Sequence, residues 1–299
     1  MPADAADPAD AADRDAETPL EVHSGAVTIS AQQAGEGPAI VLLHGLTATR
    51  RYVVMGSRTL QRSGYNVISY DARGHGRSDA APERDYSYRA LAGDLIALLD
   101  RLGIASALLA GASMGAHTAM RVALEHPDRV AALALITPAF DPAEAATEAV
   151  LARWDALAAG LRQGGVQGFI DAYRLQEVPE AWRATVETVL RQRLSAHEHP
   201  LAVADALEGV PRSVPISGLE LLREIRAPTL VVGSRDDADP GHPLAVSTRY
   251  AQLIPDAQLL VEDAGPPPRS PIAWQGGQLS RAIAALAERA GLPAEIATR

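Results

Sequence analysis

The chain of 299 residues contains no cysteine. Disulfides, thiolate metal sites and cysteine nucleophiles are therefore excluded. It also lacks lysine, because all 27 basic residues are arginine. That removes Schiff-base chemistry, a phosphate-binding G-K-[ST] loop and a serine–lysine dyad. Aromatic residues are scarce, 4% of the chain against 47% hydrophobic overall, which fits a globular, enzyme-sized protein. No apolar run approaches the length of a membrane span, and the N-terminus has neither a basic n-region nor an apolar core. The expectation is a cytoplasmic protein without a signal peptide or membrane partner. No basic face is concentrated enough to suggest nucleic acid as a partner.

The net charge is −10, and half of it lies in residues 1–18. There Asp4, Asp7, Asp10, Asp13, Asp15 and Glu17 face Arg14 alone. Such an Ala/Asp/Pro tail buries too little apolar area to order itself and is expected to be disordered. The remainder carries an ordinary charge and is long enough for one large α/β domain or two small ones.

The most informative stretch is Leu108 to Gly115, Leu-Leu-Ala-Gly-Ala-Ser-Met-Gly. Small apolar residues end a strand over 107–110, Gly111, Ser113 and Gly115 sit two apart, and a helix-forming segment follows at once. A G-x-S-x-G between strand and helix reads as a nucleophile elbow. The turn is strained, and its neighbours pass so closely that glycine is needed on both sides. The helix behind it aims backbone N–H groups at the place where an oxyanion would form. With lysine and cysteine absent, Ser113 must be activated by a histidine, a carboxylate or a tyrosine.

Around this stretch strands and helices alternate. Residues 20–22 and 26–31 read as an antiparallel hairpin, 39–43 as a strand buried on both faces, 50–63 as a helix and 65–70 as a strand. Residues 88–102 form an amphipathic helix with Leu91, Leu95, Leu98, Leu99 and Leu102 on one face. A strand at 130–137 follows. Then 144–161, 166–175 and 179–194 have helical spacing with no strand between them. Strand at 228–233, helix at 243–254, strand at 257–262 and helix at 274–290 complete the chain. This predicts a doubly wound, mostly parallel α/β sheet over 19–137 and 219–299, with a helical cap over 138–218.

Taken together, His44-Gly45 after the third strand, the loop from Asp71 to Asp79, the elbow from Gly111 to Gly115 and Gly233-Ser234-Arg235-Asp236 resemble the α/β-hydrolase fold family. The resemblance covers about residues 20 to 290. It implies that the N–H groups of Met114 and Leu46 form the oxyanion hole and that Asp236 is the acid of a catalytic triad, with Asp237 and Asp239 as rivals nearby. It also implies a histidine just after the last strand. Here that position holds Pro266-Pro267-Pro268, and no histidine occurs after His242.

The base must therefore be sought among eight histidines. His23 comes too early to reach the site. His44 belongs to the oxyanion loop, where a ring more often holds the loop. His75 and His126 read as structural, and His117, about 6 Å beyond Ser113 on the same helix, should face the sheet or a neighbouring helix. His197 and His199 read as a solvated cap loop, a metal pair lacking further ligands. His242 precedes a helix-opening proline, and a residue there often lines the pocket in the family. It is either the relocated base, within reach of Asp236 or Asp239, or a loop or capping residue. Two functions follow. One is a serine hydrolase for a small apolar ester, lactone or thioester, using Ser113, His242 and Asp236 and no cofactor or metal. The other is a fold member without a working triad, binding a ligand or performing non-hydrolytic chemistry.

Overall fold

The computed structural model describes residues 16–145, 147–235, 239–265 and 270–294. The acidic stretch 1–15 and the three prolines at 266–268 lie outside the described residues. The expected tail ends early, because strand β1 begins at Thr18.

Eight strands form one sheet. They are β1 Thr18–Ser24, β2 Val27–Ala34, β3 Ala39–Leu43, β4 Asn66–Tyr70, β5 Ala107–Ala112, β6 Val130–Ile136, β7 Thr229–Val232 and β8 Ala257–Leu260. Their order across the sheet is β1-β2-β4-β3-β5-β6-β7-β8. The hairpin β1–β2 and the β2–β4 pair are antiparallel, and every other pair is parallel. The fold is the doubly wound, mostly parallel α/β sheet that the alternation of apolar runs predicts.

Side-chain alternation divides the central strands between two cores. Val41, Leu43, Leu109, Leu133 and Leu135 face helices α2 (Tyr88–Arg101) and α3 (Met114–Glu125), packing with Leu91, Leu95, Leu98 and Met120. Ile40, Leu42, Leu108, Ala110, Ala132 and Ala134 face the other way, against Leu60 of the single turn α1 (Thr59–Arg62) and a later helix carrying Leu279, Ile283 and Leu286. Because both faces are covered, the strands read as continuous apolar runs.

Between β6 and β7 stand α4 (Glu148–Ala172), α5 (Glu180–Leu194) and α6 (Pro200–Arg212). They share a core of their own, including Leu157, Leu161, Phe169, Leu190 and Leu207. After β7 come α7 (Leu244–Leu253) and, beyond β8, α8 (Gly276–Arg289). Trp182 of α5 meets Trp274 edge to face, with ring centroids 5.7 Å apart, which ties these helices to the segment before α8.

Three local expectations are corrected. The helix at 50–63 shrinks to a 3₁₀ turn at Arg50–Tyr52 and the turn α1. Met55 and Gly56 lie at φ 50° and 72°, which no right-handed helix can accommodate. The helices at 144–161 and 166–175 are halves of α4, broken at Gly165 (φ 57°, ψ −143°). Helix α6 occupies a stretch to which the sequence pattern assigned no element, and two prolines bracket it. Pro200 opens it, where a missing N–H costs nothing, and Pro211 falls in its last turn.

Candidate active site

Strand β5 delivers Ser113 to the carboxyl edge of the sheet at φ 51°, ψ −112°, a conformation that strains any residue other than glycine. Close packing holds it there. A Cβ on Gly111 would lie 2.2 Å from the Gly115 carbonyl oxygen, and one on Gly115 would lie 2.2 Å from that of Leu43. The Ser113 N–H donates to Ile136 O on the neighbouring strand at 2.9 Å.

The loop after β3 passes alongside. A Cβ on Gly45 would approach Ser113 Cβ to 3.3 Å. His44 braces the loop, its Nδ1–H donating to Gly45 O at 2.8 Å and its Nε2 accepting from the Ala72 N–H at 2.9 Å. Among the described residues the Leu46 N–H makes no hydrogen bond, and Met114 N–H is an orphan donor at the start of α3. Thr47 follows at φ 67° and is buried, an unfavourable conformation for a β-branched residue. Two side chains from the helical insertion grip it. Arg193 Nη2 donates to Leu46 O at 2.8 Å and Thr47 Oγ1 at 2.9 Å, and His197 Nε2 donates to Thr47 O at 3.0 Å.

From the loop after β7, His242 reaches Ser113. Its Nε2 lies 2.9 Å from Ser113 Oγ. Its Nδ1 lies 2.8 Å from Asp239 Oδ2. With the proton on Nδ1 shared with the carboxylate, Nε2 is an acceptor for the serine hydroxyl. Burial, the largest single influence on His242, pulls its pKa down. The charge and hydrogen bond of Asp239 together outweigh it, so the net shift is upward. Burial pushes the Asp239 carboxyl up, but His242, Arg193 and the Gly241 N–H hold it below the usual range.

The remaining histidines have other partners. His117 Nε2 accepts from the Ala139 and Phe140 N–H groups at 3.1 Å each, and its Nδ1 contacts Tyr88 Oη at 2.9 Å. Burial takes its pKa down to about 3. His197, expected in a solvated loop, is buried instead. The chain after α5 folds back onto the loop at 71–79, where His197 Nδ1 accepts from the Gly76 N–H at 2.8 Å. His44, His75 and His197 stand in a row, with centroids 5.1 and 5.6 Å apart. His199 is exposed. Among the described residues no group of three or more metal-ligating side chains converges.

Of the residues expected from sequence, Ser113, His242, Leu46 and Met114 lie at one place. Asp236 falls outside the described residues, and Asp239, its rival by sequence, occupies the position against His242. Arg193 carried no sequence signal, since one arginine on a cap helix resembles many others.

The model of the α/β hydrolase fold matches residues 38–267. The chain belongs to the α/β-hydrolase fold family. Among similar proteins in this family, the 2-(acetamidomethylene)succinate hydrolase of Mesorhizobium japonicum is 29% identical over 252 residues, covering 80% of this chain and 85% of that protein. The sn-1-specific diacylglycerol lipase ABHD11 of Mus musculus is 43% identical over 100 residues, but that match spans only 33% of this chain and 32% of the lipase. A thermophilic esterase from Thermogutta terrifontis superposes with a TM-score of 0.75 at 25% identity, covering 91% of this chain and 99% of its own. These α/β-hydrolase relatives are hydrolases, and the chain is an enzyme of the same family.

Proposed function

We propose that the protein is a serine hydrolase that cleaves a small apolar carboxylic ester, lactone or thioester through an acyl-enzyme on Ser113. The observation that carries this reading is the imidazole of His242, 2.9 Å from Ser113 Oγ and held on its far side by Asp239 at 2.8 Å. In the first half-reaction Ser113 Oγ attacks the carbonyl carbon as its proton passes to His242 Nε2. The N–H groups of Leu46 and Met114 take the developing oxyanion, and the imidazolium then protonates the leaving group. In the second half His242 removes a proton from water, which attacks the acyl carbon and releases Ser113. Asp239 holds the required tautomer and stabilises the imidazolium, the part that the sequence motif assigned to Asp236. The helices between β6 and β7 supply the acyl pocket, with the cap running over 138–218. No cofactor enters these steps.

The relatives' printed activities, on a substituted succinate, a diacylglycerol and esters, agree on hydrolysis and differ in substrate. No helix among the described residues is long and apolar enough to cross a membrane, and the proposed setting is the cytoplasm with a small-molecule substrate. The alternative of a fold member without a working triad drew on the lack of any histidine after His242, and a ring this close to the serine favours hydrolysis. A fluorophosphonate probe and a p-nitrophenyl ester series test the reading with Ser113→Ala and His242→Ala. Labelling and turnover should vanish in the first and fall at least about 10³-fold in the second. Full turnover in either variant, or no labelling of the unaltered protein, overturns it.

A further inference from the structure

We infer that Arg193 is the binding site for an anionic group on the substrate, a carboxylate carried two or three carbons from the scissile carbonyl. The inference rests on the hydrolase reading above and revises its substrate class, from an apolar ester to an ester that carries a carboxylate.

The guanidinium stands beside the oxyanion loop. Its Nη2 is 2.8 Å from Leu46 O, which places it within roughly 6–7 Å of the Leu46 N–H by ordinary backbone dimensions. A carbonyl oxygen bound at that N–H and a carboxylate bound at the guanidinium could belong to one short acid ester. The charge has no carboxylate of its own. Among the described residues no Asp or Glu oxygen forms an ion pair with Arg193, whereas Arg73 is paired with Asp94 through two bonds of 2.7 Å and Arg50 with Asp71 at 2.8 Å. Asp239 acts on Arg193 from further away, and its Oδ2 is committed to His242.

Hydrogen bonding leaves the same vacancy. Nη2 is occupied by Leu46 O and Thr47 Oγ1, and Nε is enclosed without a partner. Among the described residues Nη1 makes no hydrogen bond and is not enclosed, so its two protons are offered to a ligand. The Tyr52 ring, 5.9 Å from the guanidinium carbon, backs the group. An unpaired charge in such a place is costly unless something satisfies it, and arginine suits a carboxylate through its fixed array of donors.

A merely structural Arg193 would brace the oxyanion loop for every substrate alike, so the test reads a ratio. Monomethyl succinate and its uncharged match methyl levulinate are titrated calorimetrically into Ser113→Ala, alone and combined with Arg193→Met or Arg193→Lys. Hydrolysis of both esters by the unaltered enzyme is followed in parallel. The acid ester should bind about ten- to a hundredfold more tightly than the neutral one, as expected for hydrogen bonds to a charged group. Arg193→Met should abolish that ratio, and Arg193→Lys should keep part of it. Equal binding of the two esters, no detectable binding of either, or a preference that survives Arg193→Met overturns the inference. If Arg193→Met does not fold, the ratio in Ser113→Ala and in the lysine variant decides. Failure of the hydrolase reading shows separately, as absent fluorophosphonate labelling at Ser113, because the binding ratio needs no turnover.

Discussion

Replacing Asp239 by asparagine changes one atom and two properties of the site. The carboxylate charge vanishes, and an amide N–H can now point at His242 Nδ1, 2.8 Å from the present Oδ2. An amide donor there drives the imidazole proton to Nε2, which then faces Ser113 Oγ at 2.9 Å as a donor and cannot accept the hydroxyl proton. Both side chains keep only about a quarter of their surface exposed, 23% for His242 and 25% for Asp239, so water replaces the lost partner poorly. The expected loss is on the order of 10³–10⁴ in kcat, with KM for a p-nitrophenyl ester nearly unchanged, because the interaction serves the transition state. The pH profile provides a second signature. A base must be neutral to act, so the rate rises with pH through the pKa of His242, which Asp239 holds above its ordinary value. Without that charge burial and Arg193 remain, both pulling the pKa down, and the limb should move to lower pH as the plateau falls. Stopped-flow or plate kinetics between pH 5 and 9 read both. A variant within tenfold of the unaltered enzyme, with its limb unmoved, would refute the role of Asp239. Asp236→Asn run alongside should change the rate less than about threefold.

Three further outcomes concern stability. His117 and His197 are buried with pKa values brought down to about 3 and about 4, chiefly by burial. The unfolded chain therefore takes up protons near pH 6.5 that the folded one refuses, and stability falls as pH drops below that value. Each histidine should cost about 2 kcal/mol at pH 5 relative to pH 8; urea titrations at the two pH values check this, and His197→Asn should remove part of the difference. Asp94→Ala strands the Arg73 guanidinium, whose side chain is 10% exposed against 1% for Asp94, and should lower unfolding free energy by about 3–5 kcal/mol in chemical denaturation. Gly115→Ala drives a Cβ to 2.2 Å from Leu43 O, a backbone atom that cannot swing aside. It should cost at least roughly 3 kcal/mol and abolish fluorophosphonate labelling, and a soluble, labelled variant would contradict the packing described.

What the sequence determined by itself was whatever depends on neighbours along the chain. Strand β3 falls on the apolar run 39–43, the leucine face of 88–102 lies in the core, and the elbow shows its glycines because Gly111 and Gly115 must be bare for the backbone to pass. The proposed oxyanion donors Leu46 and Met114 came through the family resemblance that the His-Gly pair and the elbow carry. Where the local pattern misled, at 50–63 and 200–212, left-handed residues and well-placed prolines acted against averaged propensity.

Tertiary structure alone decided which groups meet. His242 lies 129 residues from Ser113, and Arg193 lies 146 from Thr47. Periodicity reports which face of an element is buried, whereas a meeting of loops depends on every crossover and strand offset between them. For the same reason a run of aspartates could name its candidates but not choose among them, since the turn from Asp239 to His242 is what sets the Asp239 carboxylate against the ring. Arg193 of α5 and the buried His197 acquire their meaning only when the helices between β6 and β7 close over the loop after β3.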